Sequence, residues 1–375
     1  MRVCLVTGVF PPQRCGIGDY TERLGCHIAD LGADVHVVTS RHQSGDKHPA
    51  LKLHRIVRRW NAAGAGRLLA AVRAIDPHIV HLQFPSAGFT RMTSLSALPG
   101  LLRAFRYKVV LTLHEYSIAP RLSRARQLAM AAASSQVITT NRQDHLSISR
   151  KLFWKAGRIH CINIASNIEV APIEAGTRAA LRRTIGATAD SPVICFFGNA
   201  HPGKGLDDLV EAFAIVNQAL PESRLLIIGT FSPAHTLYGC LLRRKMVEAK
   251  VTDKVHVTGF LERKRASAFL LASDICVLPF RDGLSVRRGS FLAAVRHGLP
   301  VITTSPQTPL IEKIIDGENV VFVPPQDTRQ LADSIQLLAQ SPEARSRIAG
   351  NLAELDRHFS WPDIARRTVE VYTKP

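Results

Sequence analysis

Long apolar runs are missing from this chain. No stretch of 18 apolar residues occurs, which excludes a helix that spans a membrane. Cysteine is sparse and scattered. The seven residues, with no Cys-x-x-Cys pair, form neither a disulfide framework nor a redox motif, and that usage fits a reduced, cytoplasmic setting. Aromatic residues make up 6%, and no RNA- or DNA-reading signature accompanies them, which sets nucleic acid aside as a partner. Asp-x-Asp is absent, as is any His and Cys cluster with metal-ligand spacing, so no metal site is expected. Gly-x-Ser-x-Gly is absent too, so no nucleophile elbow is expected. The opening MRVCLVTGVFPP holds one arginine, a short apolar run and two prolines, and reads as a first strand rather than a signal peptide.

Acidic residues are the last shortage, and an uneven one. Residues 1–165 hold 23 Lys and Arg against 8 Asp and Glu, whereas residues 166–375 hold 25 against 22. A first half this basic expects an anionic partner, a membrane surface or a phosphorylated ligand. Apolar residues are plentiful at 46%, and 375 residues are enough for two domains with cores of their own.

Two series of strand and helix patterns follow one another. Arg2 to Val9 reads as a buried strand, Phe10 to Gly18 as a loop, Asp19 to Leu31 as a helix and Asp34 to Thr39 as the next strand. That is the opening of a Rossmann-like domain. Gly16 and Gly18 allow close backbone approach to a ligand, or mark an ordinary turn; the dinucleotide fingerprint itself is missing. A helix over Gly64–Ile75, a basic helix over Arg121–Ala133, and strands over His78–Gln83, Val109–Leu113, Gln136–Thr140 and Ile159–Ile164 continue the series. Ser94 to Arg106 sets Leu95, Leu98, Leu101, Leu102 and Phe105 beside Arg103, Arg106 and Lys108. This reads as a helix lying on a membrane surface or as a core-facing helix with a basic edge. Ala171 to Asp190 reads as the joint between domains. The second series runs from the strand Val193–Gly198 to a closing helix over His358–Tyr372, with Ser360 at its cap and Pro362 in its first turn.

One stretch organises the second series: Phe280 to Pro300, FRDGLSVRRGSFLAAVRHGLP. It predicts a loop after an apolar strand, then a helix ended by Gly298 and Pro300. No acidic residue occurs from Gly283 to Leu310, and Arg287 and Arg288 are expected in the first helical turn. Cations there oppose the helix dipole unless an anion binds, and a diphosphate is the natural one; arginines pointing into water are the plain alternative. Lys204, in the loop NAHPGKG between a strand and a helix start, is a further cation for phosphate. Gly203-Lys204-Gly205 lacks the following Ser or Thr of a Walker loop, which argues against a nucleotide triphosphatase. His114 ends a buried strand, where it can donate a hydrogen bond to a sugar hydroxyl or a phosphate. His81 and Gln83 end a neighbouring strand and are candidates on the acceptor side.

These motifs resemble the family 4 retaining glycosyltransferases of the GT-B fold. The likeness runs over nearly the whole chain and is strongest from Val193 to Val323. It is carried by VICFFGNAHPGKGLDDLVEAF, VHVTGF and PFRDGLSVRRGSFLAAVRHGLPVITT, by GVFPPQRCGIGDYTERL and LTLHEY in the first half, and by FSWPDIA near the end. The resemblance implies an α/β fold of two Rossmann-like domains facing a central cleft. Residues 1–170 would bind the acceptor, 171–357 the nucleotide sugar, and 358–375 would form a helix crossing back to the first domain. It implies hexosyl transfer from a nucleotide-diphosphate sugar with retention, needing no cofactor beyond that donor substrate. His114, Lys204 and Arg288 would be catalytic, and Gly16, Gly18, Gly198, Asn199, Lys204, Asp282, Ser285, Arg287 and Arg288 would bind the donor or its diphosphate. Joined to the basic first half, it suggests a polyprenyl-diphosphate-linked acceptor on the anionic inner face of the cell membrane, as in bacterial surface or exopolysaccharide synthesis.

The sequence departs from the family pattern in two places. The usual pair of glutamates, separated by seven residues, is replaced by Ser285 and Ala293, and the usual arginine before Lys-Gly by Asn199. Asp282-Gly283-x-Ser285-x-Arg287-Arg288-Gly289 matches a variant pattern within the family. Two other readings follow from the lost carboxylates: a catalytically inactive binding protein, or a nucleotide-sugar epimerase. For acid–base work the latter would have only Asp282 in this region.

Overall fold

The computed structural model describes residues 1–375 apart from 14, 42–47, 87, 88, 90–92, 232–235 and 308–313. The chain divides into two compact units, Met1–Asn167 with Phe359–Pro375, and Ile168–His358.

The first unit is built on seven strands, β1 (Arg2–Val6), β2 (Asp34–Ser40), β3 (Lys52–Val57), β4 (Ile79–Phe84), β5 (Lys108–Leu113), β6 (Gln136–Thr139) and β7 (Ile159–Cys161). They are parallel and ordered β3-β2-β1-β4-β5-β6-β7, so the order reverses between β1 and β4. Cys4, Val6, Val80, Leu82, Val109 and Leu111 are buried almost completely, as expected for strands covered on both faces. Helices α1 (Gly16–Asp30), α2 (Ala62–Ile75), α3 (Leu98–Ala104), α4 (Arg121–Ala133) and α5 (Arg142–Lys151) connect them.

Several elements differ from the pattern reading. Gly16 and Gly18 belong to the first turn of α1 and not to a loop, of which residue 14 lies outside the described residues. A Cβ on Gly18 would stand 2.7 Å from the Val9 carbonyl oxygen, so its glycine serves approach by the chain itself. The stretch around Ser94–Arg106 splits into a 3-10 turn, Thr93–Ala97, and α3, with Pro99 in the first turn of α3. Leu95, Leu98 and Leu102 lie in the core, and only Leu101 and Phe105 stay exposed, at 41% each. The core-facing alternative therefore accounts for three of the five apolar positions.

The second unit repeats the architecture. Its strands are β8 (Val193–Phe197), β9 (Arg224–Ile228), β10 (Val255–Val257), β11 (Ile275–Leu278), β12 (Val301–Thr304) and β13 (Val321–Val323). They are parallel in the order β10-β9-β8-β11-β12-β13, with the reversal between β8 and β11. The helices are α6 (Thr177–Thr184), α7 (Leu206–Ala219), α8 (Leu237–Glu248), α9 (Arg263–Ala272), α10 (Gly289–Arg296), α11 (Thr328–Gln340) and α12 (Pro342–Asp356). The segment read as a joint, Ala171–Asp190, carries α6. Arg287 and Arg288 precede α10 rather than opening it, Arg288 being its N-cap. The last helix, α13 (Trp361–Thr373), belongs to the first unit, where it packs against α1.

Candidate active site

Ligands of open parallel sheets bind beyond the strand C-termini, where the strand order reverses. In the second unit that point lies between the loops leaving β8 and β11. The β8 loop begins at Gly198, whose N–H donates to the Ile228 carbonyl, and ends in the 3-10 turn Pro202–Lys204. Gly205 follows at φ +63° and lets α7 start at once. The half-buried Lys204 folds back over Gly198, and a Cβ there would stand 2.5 Å from its Nζ. Gly198, at φ +135°, is therefore both the turn and the floor beneath the ammonium. Burial, and then the neighbouring Arg288, lower the Lys204 pKa. The two cations thus stand close enough to repel each other, an arrangement an anion would relieve.

The β11 loop supplies Arg288. Its guanidinium pairs with Asp282 and lies 4.5 Å from the Phe280 ring centroid. Asp282, expected among the donor contacts, is thus the counter-ion that pairs with Arg288. Ser285 Oγ accepts from Arg287 Nε at 3.2 Å and orients that side chain. Asn199 Oδ1 accepts from Thr230 Oγ1 at 2.6 Å, tying the β8 loop to the loop after β9. Ala293 is fully buried, so its position offers no polar group.

A clamp that pattern reading missed joins the two loops. Arg281 donates its N–H to the Gly203 carbonyl at 3.1 Å, and its guanidinium reaches Asp207 and Asp208 in the first turn of α7. The Tyr238 hydroxyl donates to Asp207 Oδ1 at 2.7 Å. The one available signal was the acidic pair that opens α7 directly after Lys204-Gly205.

In the first unit, the loop after β5 starts at His114. Asp144, buried at the start of α5, holds that loop by accepting from the N–H groups of Tyr116 (3.2 Å) and Ser117 (2.9 Å). His114 is buried, with Tyr20 edge-on at 4.8 Å, and burial pushes its pKa down to about 3. Neutral at ordinary pH, it spends Nε2–H on Gln83 Oε1 at 3.0 Å. Its Nδ1 has no hydrogen-bond partner among the described residues, so it offers an acceptor, not the donor expected from the sequence. His81 and Gln83 are completely buried, and the two His81 ring nitrogens bond Tyr372 Oη and Thr112 Oγ1, each at 2.6 Å. His81 and Gln83, the acceptor-side candidates, thus both face protein rather than solvent. Gly16 and Gly18 lie at the start of α1 in this unit, and the structure brings neither to Lys204 within one unit.

Sequence comparisons agree with this architecture. Residues 15–164 match the model described as "Glycosyl transferase 4-like domain", and residues 191–341 the one described as "Glycosyl transferases group 1". The D-inositol 3-phosphate glycosyltransferase of Xylanimonas cellulosilytica is 28% identical over 253 residues, 65% of this chain but 58% of that protein's length. A GDP-mannose-dependent monoacylated alpha-(1-6)-phosphatidylinositol monomannoside mannosyltransferase of Corynebacterium glutamicum is 26% identical, covering 99% of this chain and 97% of its own. HepE of Anabaena, solved in complex with UDP and glucose, superposes with a TM-score of 0.76 at 16% identity, over 99% of this chain and 98% of its own. Two parallel sheets of this order in two Rossmann-like units define the GT-B class. Within that class, the chain belongs to the family 4 glycosyltransferases.

Proposed function

We propose that this chain transfers a hexose from a nucleotide-diphosphate sugar to an acceptor, with retention and without a metal ion. The observation that carries the reading is a pair of neighbouring cations at the reversal point of the second sheet: Lys204, which lies over Gly198, and Arg288. Fixed cations there stabilise the charge that develops on a departing diphosphate, often the largest contribution in such sites. With the diphosphate leaving on the face the acceptor approaches, it takes the acceptor's proton and no protein nucleophile is needed. Arg287 adds a further positive charge. The solved relative that holds UDP and glucose supports a nucleotide-sugar donor.

A test is to screen nucleoside diphosphates for thermal stabilisation, then assay radiolabelled transfer to lipid-linked glycans in the presence of EDTA. One nucleotide at a hundredfold excess over its Kd should stabilise the fold by about 2.7 kcal/mol, and its sugar derivative should be turned over. Binding without transfer or hydrolysis would identify an inactive binding protein instead, the reading that the lost glutamates favour.

We further propose that the acceptor is a polyprenyl-diphosphate-linked glycan on an anionic membrane face, as in bacterial surface polysaccharide synthesis. Between Asp76 and Glu169 there are 12 Lys and Arg against only Glu115 and Asp144, so this stretch cannot neutralise itself. Arg103 and Lys155 both reach carbonyls at the C-terminal end of α4, and Lys155, crowded by burial and then by Arg103 and Arg158, has its pKa lowered to about 8. Beside them the 3-10 turn Phe153–Arg158 exposes Phe153 (75%) and Trp154 (66%), packed edge to face at 5.3 Å. Exposed aromatics among cations suit the headgroup region of an anionic bilayer. Cosedimentation with phosphatidylglycerol vesicles should weaken as salt rises, and should fall about a hundredfold or more when both aromatics become serine, given roughly 1.5–3 kcal/mol per fully buried large side chain. Equal binding to phosphatidylcholine vesicles, or an unaffected double variant, would overturn this contact.

A further inference from the structure

The terminal helix reaches the candidate sugar-binding histidine through an unbroken line of buried hydrogen bonds. Tyr372 of α13 is 2% exposed, and its Oη lies 2.6 Å from His81 Nδ1. His81 Nε2 lies 2.6 Å from Thr112 Oγ1 and 3.2 Å from Gln83 Nε2. The other end of the same amide, Gln83 Oε1, lies 3.0 Å from His114 Nε2. Tyr372, His81 and Gln83 are part of neither the diphosphate site nor the exposed surface.

The direction of each bond follows from its neighbour. An amide nitrogen only donates and an amide oxygen only accepts. Gln83 turns its nitrogen to His81, so His81 Nε2 is a bare acceptor and its proton is on Nδ1, donated to Tyr372. Gln83 turns its oxygen to His114, so the His114 proton is on Nε2. Burial pushes the pKa of each ring down to about 3, so neither escapes by taking a second proton at neutral pH. One amide with two unlike ends therefore couples the two rings: if His81 moved its proton to Nε2, Thr112 Oγ1 could accept it, but the Gln83 nitrogen would then face another N–H, and turning the amide over to relieve that contact would move the His114 proton to Nδ1.

We infer that Tyr372, His81 and Gln83 are positioning residues that fix the His114 proton on Nε2, and so make Nδ1 an acceptor for a ligand hydroxyl. The last clause rests on the glycosyl-transfer reading above; the tautomer does not.

Long-range 1H–15N correlation spectra of the histidine-labelled, ligand-free chain read the tautomer directly, with His114→Gln identifying the His114 signals. The wild-type protein should show His114 protonated at Nε2 and His81 at Nδ1. Tyr372→Phe removes the acceptor for His81 Nδ1–H, so both rings should switch, His114 to Nδ1–H, and KM for the sugar nucleotide should rise two- to tenfold, roughly the worth of one hydrogen bond. Gln83→Glu places an acceptor between both rings and should leave His114 on Nε2–H while moving His81 alone, which keeps the test available if Tyr372→Phe folds poorly. A wild-type His114 protonated at Nδ1, or a His114 tautomer unchanged in a folded Tyr372→Phe variant, overturns the relay. Expected tautomers without sugar transfer would leave the relay standing and remove the proposed reaction.

Discussion

Lys204→Ala is expected to lower kcat for sugar transfer roughly 10²- to 10³-fold, the loss typical of removing one preorganised donor to a developing anion. The ammonium sits over Gly198, in a place prepared by that glycine and by the Arg281 clamp on Asp207 and Asp208. Its charge is kept partly out of water beside Arg288, where a departing diphosphate gains more from it than in bulk solvent. KM should change less than kcat, because the extra charge arises as the bond breaks. Lys204→Arg should recover little, since a planar fork cannot occupy the space of a compact ammonium above a bare Cα. Steady-state rates with the cognate sugar nucleotide check this, and a kcat within about twofold of wild type would remove Lys204 from the reaction.

The largest stability loss is expected at Arg182. This residue of α6 is 3% exposed, and its guanidinium donates to the carbonyls of Thr188 (3.0 Å), Ala272 (3.1 Å), Ala189 (3.3 Å) and Ser191, and to Asp274 Oδ2 at 3.0 Å. Asp274 Oδ2 in turn accepts from Val193 N at the start of β8, so one side chain ties α6 and its following loop to a central strand of the second sheet. Arg182→Ala leaves four carbonyls and part of a carboxylate without this partner, and should cost about 3–5 kcal/mol. Arg178 also pairs with Asp274 at 2.6 Å, which places the result toward the lower end. Urea unfolding of the whole chain measures it; a loss below about 1 kcal/mol would mean that water replaces the guanidinium without penalty.

The strands were legible in the sequence because parallel strands covered on both faces are nearly continuous apolar runs, as VICFF of β8 and VVLTL of β5 are. Helices α5 and α6 were not, because neither carries an apolar stripe: α5 buries Asp144 and Ile148, and α6 buries Arg182. Strand β3, Lys52–Val57, escaped notice because His54 and Arg55 interrupt its apolar residues. At the candidate site, Lys204 and Arg288 could be picked out as cations in loops, but not the clamp between those loops, since Arg281 and Asp207 are far apart in sequence. Asp282 stood among the expected donor contacts because its motif is shared with its neighbours, and only the geometry shows that it pairs with Arg288. Gly18 carried a glycine's signature for a reason internal to the chain, the Val9 carbonyl.

The excursion of the chain out of the first unit and back has a consequence for synthesis. Trp361 and Tyr372, both buried in the first unit, leave the ribosome after all of residues 168–358. Until then the nascent first unit exposes the face of α1 on which α13 will lie, while the second unit already has every residue it requires. The half that starts translation is thus the half that finishes folding last.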